Sequence, residues 1–146
     1  IDNFTTSYQS GTAIKVDSGN TYTVKFNDVE GWTKPEDKTV DATDVQIYEV
    51  KATYTQILGA ISVSISPGDA VADGAAWSID SGLTWHTSGA TITDLKPGTY
   101  GVVFREIYEK RWAAPIPQTV SVTAGTTTLV EGVYRRYSAV DTWELF

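Results

Sequence analysis

The chain has 146 residues, a formal net charge of −7 and no cysteine. That length leaves room for one ordinary domain or two small ones, the lack of thiols excludes a disulfide framework or a thiolate metal site, and no basic stripe exists to hold phosphates, which argues against nucleic acid as a partner. No apolar run approaches the roughly 18 residues a membrane span needs, and the start at Ile1, without a charged-then-apolar leader, reads as a processed mature chain or a fragment.

Thr, Val, Tyr, Ile and Trp dominate the periodic stretches, and apolar residues do not recur at helical spacing for long, so the fold class predicted is all-β. In chain order, Ser18-Gly19-Asn20 reads as a turn opening a strand whose Tyr22, Val24 and Phe26 share one face at period two. Ile61, Val63 and Ile65 alternate in a second run, followed by a Pro67-Gly68 turn and a strand over Ala75–Ile79. Pro97-Gly98 then opens a strand carrying Tyr100, Val102 and Phe104, and Ala124-Gly125 divides a strand over Gln118–Val122 from one over Thr127–Tyr134. A turn every 8 to 12 residues predicts a sandwich of antiparallel strands, the turns being too short for parallel crossovers.

Aligned with itself, the chain repeats. Residues 1–26 match 79–104 at an offset of 78 with ten identities, among them Ser10/Ser88, Gly11/Gly89, Ile14/Ile92, Tyr22/Tyr100 and Phe26/Phe104. The match resumes at an offset of 80 with Trp32/Trp112, Pro35/Pro115, Val40/Val120, Val50/Val130 and Tyr54/Tyr134. The expected organisation is a first β module over 1–56, a complete second module over 57–136 and a C-terminal strand over 137–146. Nothing before Ile1 matches Gly59–Ser78, so the first module is expected to lack about 20 residues and with them its N-terminal strands. At the same offset of 80, the tail falls opposite Thr55–Ser66.

The second copy resembles a recurrent repeat of large bacterial secreted and cell-surface proteins. The residues that carry the likeness are Ile65-Ser66-Pro67, Ala76-x-Trp77-x-Ile79-Asp80-Ser81-Gly82, Trp85, Ser88-Gly89-Ala90-Thr91-Ile92, Leu95-Lys96-Pro97-Gly98-Thr99-Tyr100, Trp112-Ala113-Ala114-Pro115, Gln118–Val122 and Gly132-Val133-Tyr134. The resemblance implies tandem immunoglobulin-like antiparallel β-sandwich modules used extracellularly or at the cell surface as stalks or adhesive units, with no cofactor and no catalytic activity general to the family.

Ser78-x-Asp80-x-Gly82-x-Thr84-Trp85 also fits the Asp-box of sialidases and other glycan-acting propellers. Its residue types describe a turn, with Asp80 capping amides, Gly82 supplying positive φ and Trp85 packing beneath, and a propeller needs far more chain than this. Trp85, Tyr108 and Trp112 are the candidate glycan-stacking residues, weighed against core packing. The single histidine, His86, reads as a surface residue; Glu106 and Glu109 could serve a two-acid glycosidase only if a cleft held them together. The acidic pairs Asp28/Glu30, Glu36/Asp37 and Asp41/Asp44 lack the density of a calcium loop and read as solvated charge. Asn3-Phe4-Thr5 is a possible acceptor for N-glycosylation.

Tyr137, Ala139, Val140, Trp143, Leu145 and Phe146 make the tail too apolar to rest in water. The expected function is that of an extracellular structural subunit, a homo-oligomer in which the tail of one chain supplies the strand the next chain's first module lacks, giving a head-to-tail filament or surface array. The alternative is an adhesive module that grips an extracellular glycan.

Overall fold

The computed structural model describes residues 6–137. The chain divides into two compact units, Ile1–Asp28 with Lys34–Tyr54, and Val29–Thr33 with Thr55–Phe146. Its strands are β1 (Asn20–Val24), β2 (Trp32–Thr33), β3 (Lys38–Ala42), β4 (Thr55–Gln56), β5 (Gly59–Ser66), β6 (Trp77–Ser78), β7 (Thr91–Leu95), β8 (Gly98–Phe104), β9 (Trp112–Ala113), β10 (Gln118–Val122), β11 (Thr127–Val133) and β12 (Arg135–Arg136). Among the described residues one helix, α1 (Gly68–Ala72), and a 3-10 turn at Tyr108–Lys110 interrupt them. The fold is all-β, as the period-two patterning predicts.

The second unit is sandwich-like. One three-stranded sheet has the order β10-β8-β6 and the other β11-β5-β7. Ile61, Val63 and Ile65 of β5 and Val130 of β11 meet Trp77 of β6, Val102 and Phe104 of β8 and Val122 of β10 in one buried cluster. Each strand contributes alternate residues, because successive side chains leave opposite faces of the pleat. Tyr134 closes the end of the core: its ring lies edge-on to Phe104 at 6.4 Å, and its hydroxyl donates to the carbonyl of Arg105 at 2.7 Å. Burial pushes that phenol up to about 12.

Two expectations need correction. First, β11 pairs with β5 in parallel, Thr127 opposite Ala60 through Val133 opposite Ser66. Turn length forbids parallel pairing only between consecutive strands. Here the crossover is long, since α1 and the strands β6 to β10 lie between β5 and β11. Second, Pro67-Gly68 does not join two strands. It leads into α1, where the helix-favouring alanines of Gly68–Ala72 bury Ala70 against the core, and Gly74 at φ 104° turns the chain out. The strand expected over Ala75–Ile79 shrinks to Trp77–Ser78, because the turn built around Asp80 captures the residues from Ile79 onward.

In the first unit, β1 and β3 form a two-stranded sheet. Its register runs from Asn20 opposite Ala42 to Val24 opposite Lys38. Moved by the repeat offsets, this becomes Gly98 opposite Val122 to Val102 opposite Gln118, the register of β8 on β10. Phe26 and Tyr54 stack edge-on at 6.4 Å, and the Tyr54 hydroxyl donates to the carbonyl of Asn27 at 2.8 Å, again one repeat away from Phe104, Tyr134 and Arg105.

Candidate strand-acceptor site

In the second unit, β5 is held on both sides and at one end. Besides the parallel pairing with β11, it pairs antiparallel with β7, Ile61 opposite Ile92 and Ser62 opposite Thr91. The turn before β7 clasps it. The Ile65 amide donates to Ser88 Oγ at 2.8 Å, that hydroxyl donates back to the Ile65 carbonyl at 3.4 Å, and the Gly89 amide donates to the carbonyl of Val63 at 2.8 Å. The clasp forms because Thr87–Ala90 is a tight turn, closed by Ala90 N–H on the Thr87 carbonyl at 3.2 Å, with Gly89 at φ 81°, a conformation glycine enters without a Cβ penalty.

The first unit carries the same turn. Thr12 N–H reaches the Gln9 carbonyl at 3.2 Å, Gly11 stands at φ 82°, and Ser10 and Gly11 are the same residues as Ser88 and Gly89. Among the described residues of this unit, however, β1 and β3 are the only strands, and none stands where β5 would. The consequences run through the neighbouring segments. Residues 47–53, equivalent to β11, are not a strand, and residues 13–17, equivalent to β7, are not one either. Strands need a partner for their amides and carbonyls, and without one these segments adopt no ladder.

Burial divides the two units in the same way. Val24, Phe26, Val50 and Tyr54 are half-buried where Val102, Phe104, Val130 and Tyr134 are buried. Val45 and Ile47 are 97% and 96% exposed. Between β3 and the segment around Tyr48–Lys51 lies an open cleft of about 410 Å³, lined by Lys38, Val40, Asp41, Tyr48, Val50 and Lys51. In the second unit the matching strands are tied across this line by Gln118 Nε2 donating to the Glu131 carbonyl and by Thr128 Oγ1 donating to the Ser121 carbonyl, both at 2.8 Å. In the first, Tyr48 receives the Asp44 amide at 3.2 Å and Asp41 receives the Thr21 hydroxyl at 2.8 Å. Donors from Gln46 and then Asp44 hold the Tyr48 hydroxyl below its ordinary range.

Of the tail residues, Tyr137 is placed and is tied to its own unit, its amide donating to the carbonyl of Arg111 at 3.0 Å beside the antiparallel β9–β12 pair. Ala139, Val140, Trp143, Leu145 and Phe146 lie outside the described residues. The three aromatic candidates do not share one role. Trp112 is 3% exposed, its indole N–H donates to Asp73 Oδ2 at 2.8 Å, and the Arg136 guanidinium covers its ring at 4.4 Å. Trp85 is half-buried beside Arg105, and Tyr108 is 66% exposed.

The Asp-box residues form a self-contained turn. Ser78 Oγ accepts the amides of Asp80 and Gly82 at 3.1 and 3.0 Å, and Asp80 Oδ1 accepts the Ser78 hydroxyl and the Thr84 amide at 2.5 and 2.8 Å. These donors hold the Asp80 carboxyl at about 2, the Ser78 hydroxyl being the larger cause. His86 bridges to Trp77 and packs on its ring at 5.0 Å. The Ser10-Gly11 clasp is the part of the site that residue type alone does not reveal. The signal available was its identity with Ser88-Gly89 at positions with no apolar packing to preserve. No family model, no curated protein and no solved structure matches this chain.

Proposed function

We propose that this chain is an extracellular structural subunit, without catalysis or cofactor, that polymerises head-to-tail by β-strand complementation. One observation carries the reading: the first unit keeps, already folded, the Gln9–Thr12 turn whose counterpart serves to clasp β5, while no such strand stands there among its described residues. An open sheet position of this kind recruits an extended segment through main-chain hydrogen bonds, with alternate side-chain pockets setting the register. The segment proposed is 139–146 of another copy, which falls on Gly59–Ser66 at the repeat offset of 80 and is apolar and aromatic enough to leave water. Each chain then offers one donor and one acceptor. Such a contact does not close on itself, so its repetition gives a fibre.

Electron microscopy and sedimentation of the full chain and of a chain lacking 138–146 test this. Fibres or concentration-dependent multimers that vanish on truncation are the expected result. Monomers at every concentration for both would overturn it and favour the second reading, an adhesive module of the immunoglobulin-like surface repeat. The half-buried Trp85 beside Arg105 and the exposed Tyr108 support that second reading, which predicts saccharide affinity lost in Trp85→Ala.

A further inference from the structure

Along the sequence the arginines fall into two short segments, Arg105 and Arg111 in one and Arg135 and Arg136 in the other, so no basic stripe shows. Folding brings the two segments together at the end of the second unit's core that Tyr134 closes. The Tyr134 hydroxyl, next to Arg135, donates to the carbonyl of Arg105 at 2.7 Å, Arg136 lies opposite Trp112 in the β9–β12 pair, and the Tyr137 amide donates to the carbonyl of Arg111 at 3.0 Å. Lys110 joins them from the 3-10 turn, where the Arg111 amide donates to the Tyr108 carbonyl at 3.0 Å. A chain of net charge −7 thus collects five basic side chains here, and the two segments carry only Glu106 and Glu109 against them.

All five basic residues are exposed, and among the described residues the one ion pair they make is that of Arg136 with Asp73 Oδ2 at 3.9 Å. Two of the guanidiniums are held over indoles. Arg105 lies 5.7 Å from the centre of the Trp85 ring and Arg136 lies 4.4 Å from that of Trp112, whose N–H is itself fixed by Asp73 Oδ2 at 2.8 Å. Stacking of this kind engages the face of the guanidinium, leaves the N–H fork at its edge open, and removes rotamer freedom that a ligand would otherwise have to quench. Like charges gathered in one place also repel, and an anion placed among them relieves that repulsion.

Resting on the adhesive reading above, we propose that this end of the second unit binds an acidic polysaccharide in which uronates alternate with neutral sugars. Arg105, Arg111 and Arg135 hold the carboxylates, and Tyr108, 66% exposed, takes the apolar face of a sugar ring. A carboxylate is the planar, two-oxygen partner that a guanidinium fork meets with paired N–H···O bonds. The indoles serve as platforms for the arginines: a sugar cannot stack on a face of Trp85 or Trp112 that a guanidinium occupies, whereas Tyr108 stands out in solvent. The acidic remainder of the chain repels a polymer charged at every unit, such as a nucleic acid, more than a glycan that carries its charge sparsely.

Calorimetric titration of the full chain with a hyaluronan oligosaccharide, in which uronate and neutral sugar alternate, tests this, beside the same oligosaccharide methyl-esterified at its carboxyls, inorganic phosphate and an oligothymidylate. The expected result is binding of the acidic sugar that weakens with added salt, and weakens about tenfold in Arg111→Gln and in Arg135→Gln. Lys15→Gln, an exposed position in the first unit, is expected to leave it unchanged, and Arg135→Lys, which keeps the charge without the fork, to recover only part of the loss. Denaturant midpoints equal to the parent's show the variants folded. Binding that survives both arginine-to-glutamine changes would overturn the site, and phosphate or oligothymidylate bound as tightly as the sugar would overturn the polysaccharide. Equal binding of the esterified sugar would overturn the acidic preference while leaving the adhesive reading standing, and no binding of either sugar would overturn both.

Discussion

The strand pairs β1·β3 and β8·β10 share a register, yet they sit in different surroundings. In the second unit the pair faces β5 and β11, and Val102 and Val122 are buried to 0% and 3% exposure. In the first, Val24 and Phe26 are only half-buried where Val102 and Phe104 are buried. The difference teaches that pairing and burial have separate causes. A two-stranded register is set locally, by the turn and by cross-strand neighbours, but a sheet face is dried only by a second sheet laid on it. The first unit has made its local decisions and keeps the fittings, Ser10-Gly11 and Phe26/Tyr54, for a core it does not complete among its described residues.

Mutations at equivalent positions break or sharpen this contrast. The largest effect is expected from Gly132→Ala, because a Cβ there runs into the ring of Phe104 in the closed core of the second unit. Overpacking of this kind costs about 1–3 kcal/mol, read as a lower midpoint in denaturant at unchanged slope. The first unit already carries alanine at the matching position, Ala52, beside an open core. Ser88→Ala comes next: it removes the hydroxyl that serves both the amide and the carbonyl of Ile65, at about 1 kcal/mol to stability. Ser10→Ala is expected to leave the melting of the monomer unchanged and to raise the concentration needed for assembly about fivefold, the same hydrogen bond then being made between chains. Equal effects of the two serines on the monomer would end the comparison.

The smallest effect concerns pH. The Asp80 carboxyl is held at about 2 against an ordinary value of 3.8, so its contribution is present above about pH 4 and lost as the pH falls from there towards 2. The difference in melting temperature between the parent chain and Asp80→Ala is therefore expected to be flat near neutrality and to shrink over that acid window. The group lies at the surface, so the change is small.

Much of the strand pattern was legible in the residues. Tyr22/Val24 and Tyr100/Val102/Phe104 announce their strands by period two, although β1 stops at Val24, short of the expected Phe26, and the end of β10 and the start of β11 fall where Ala124-Gly125 marks a turn. Less legible was α1, since Asp69-Ala70-Val71-Ala72 is too short to show a period and the preference of alanine for helix decides it. Trp112 shows the limit for sites. Residue type allows a glycan platform or a core, and only the positions of Asp73 and Arg136, far away in sequence, assign its ring and N–H to internal contacts.

By itself the sequence determined the all-β class and the turns, because both are written in alternation and in glycine and proline, which act over a few residues. It also holds the internal match between the halves. Tertiary structure alone decided that β11 lies parallel to β5, that Ser88 and Gly89 are clasps and not merely turn residues, and that residues 47–53 go without a partner strand among the described residues. Each of these is a relation between segments distant along the chain, and such relations are settled by which surfaces can exclude water together.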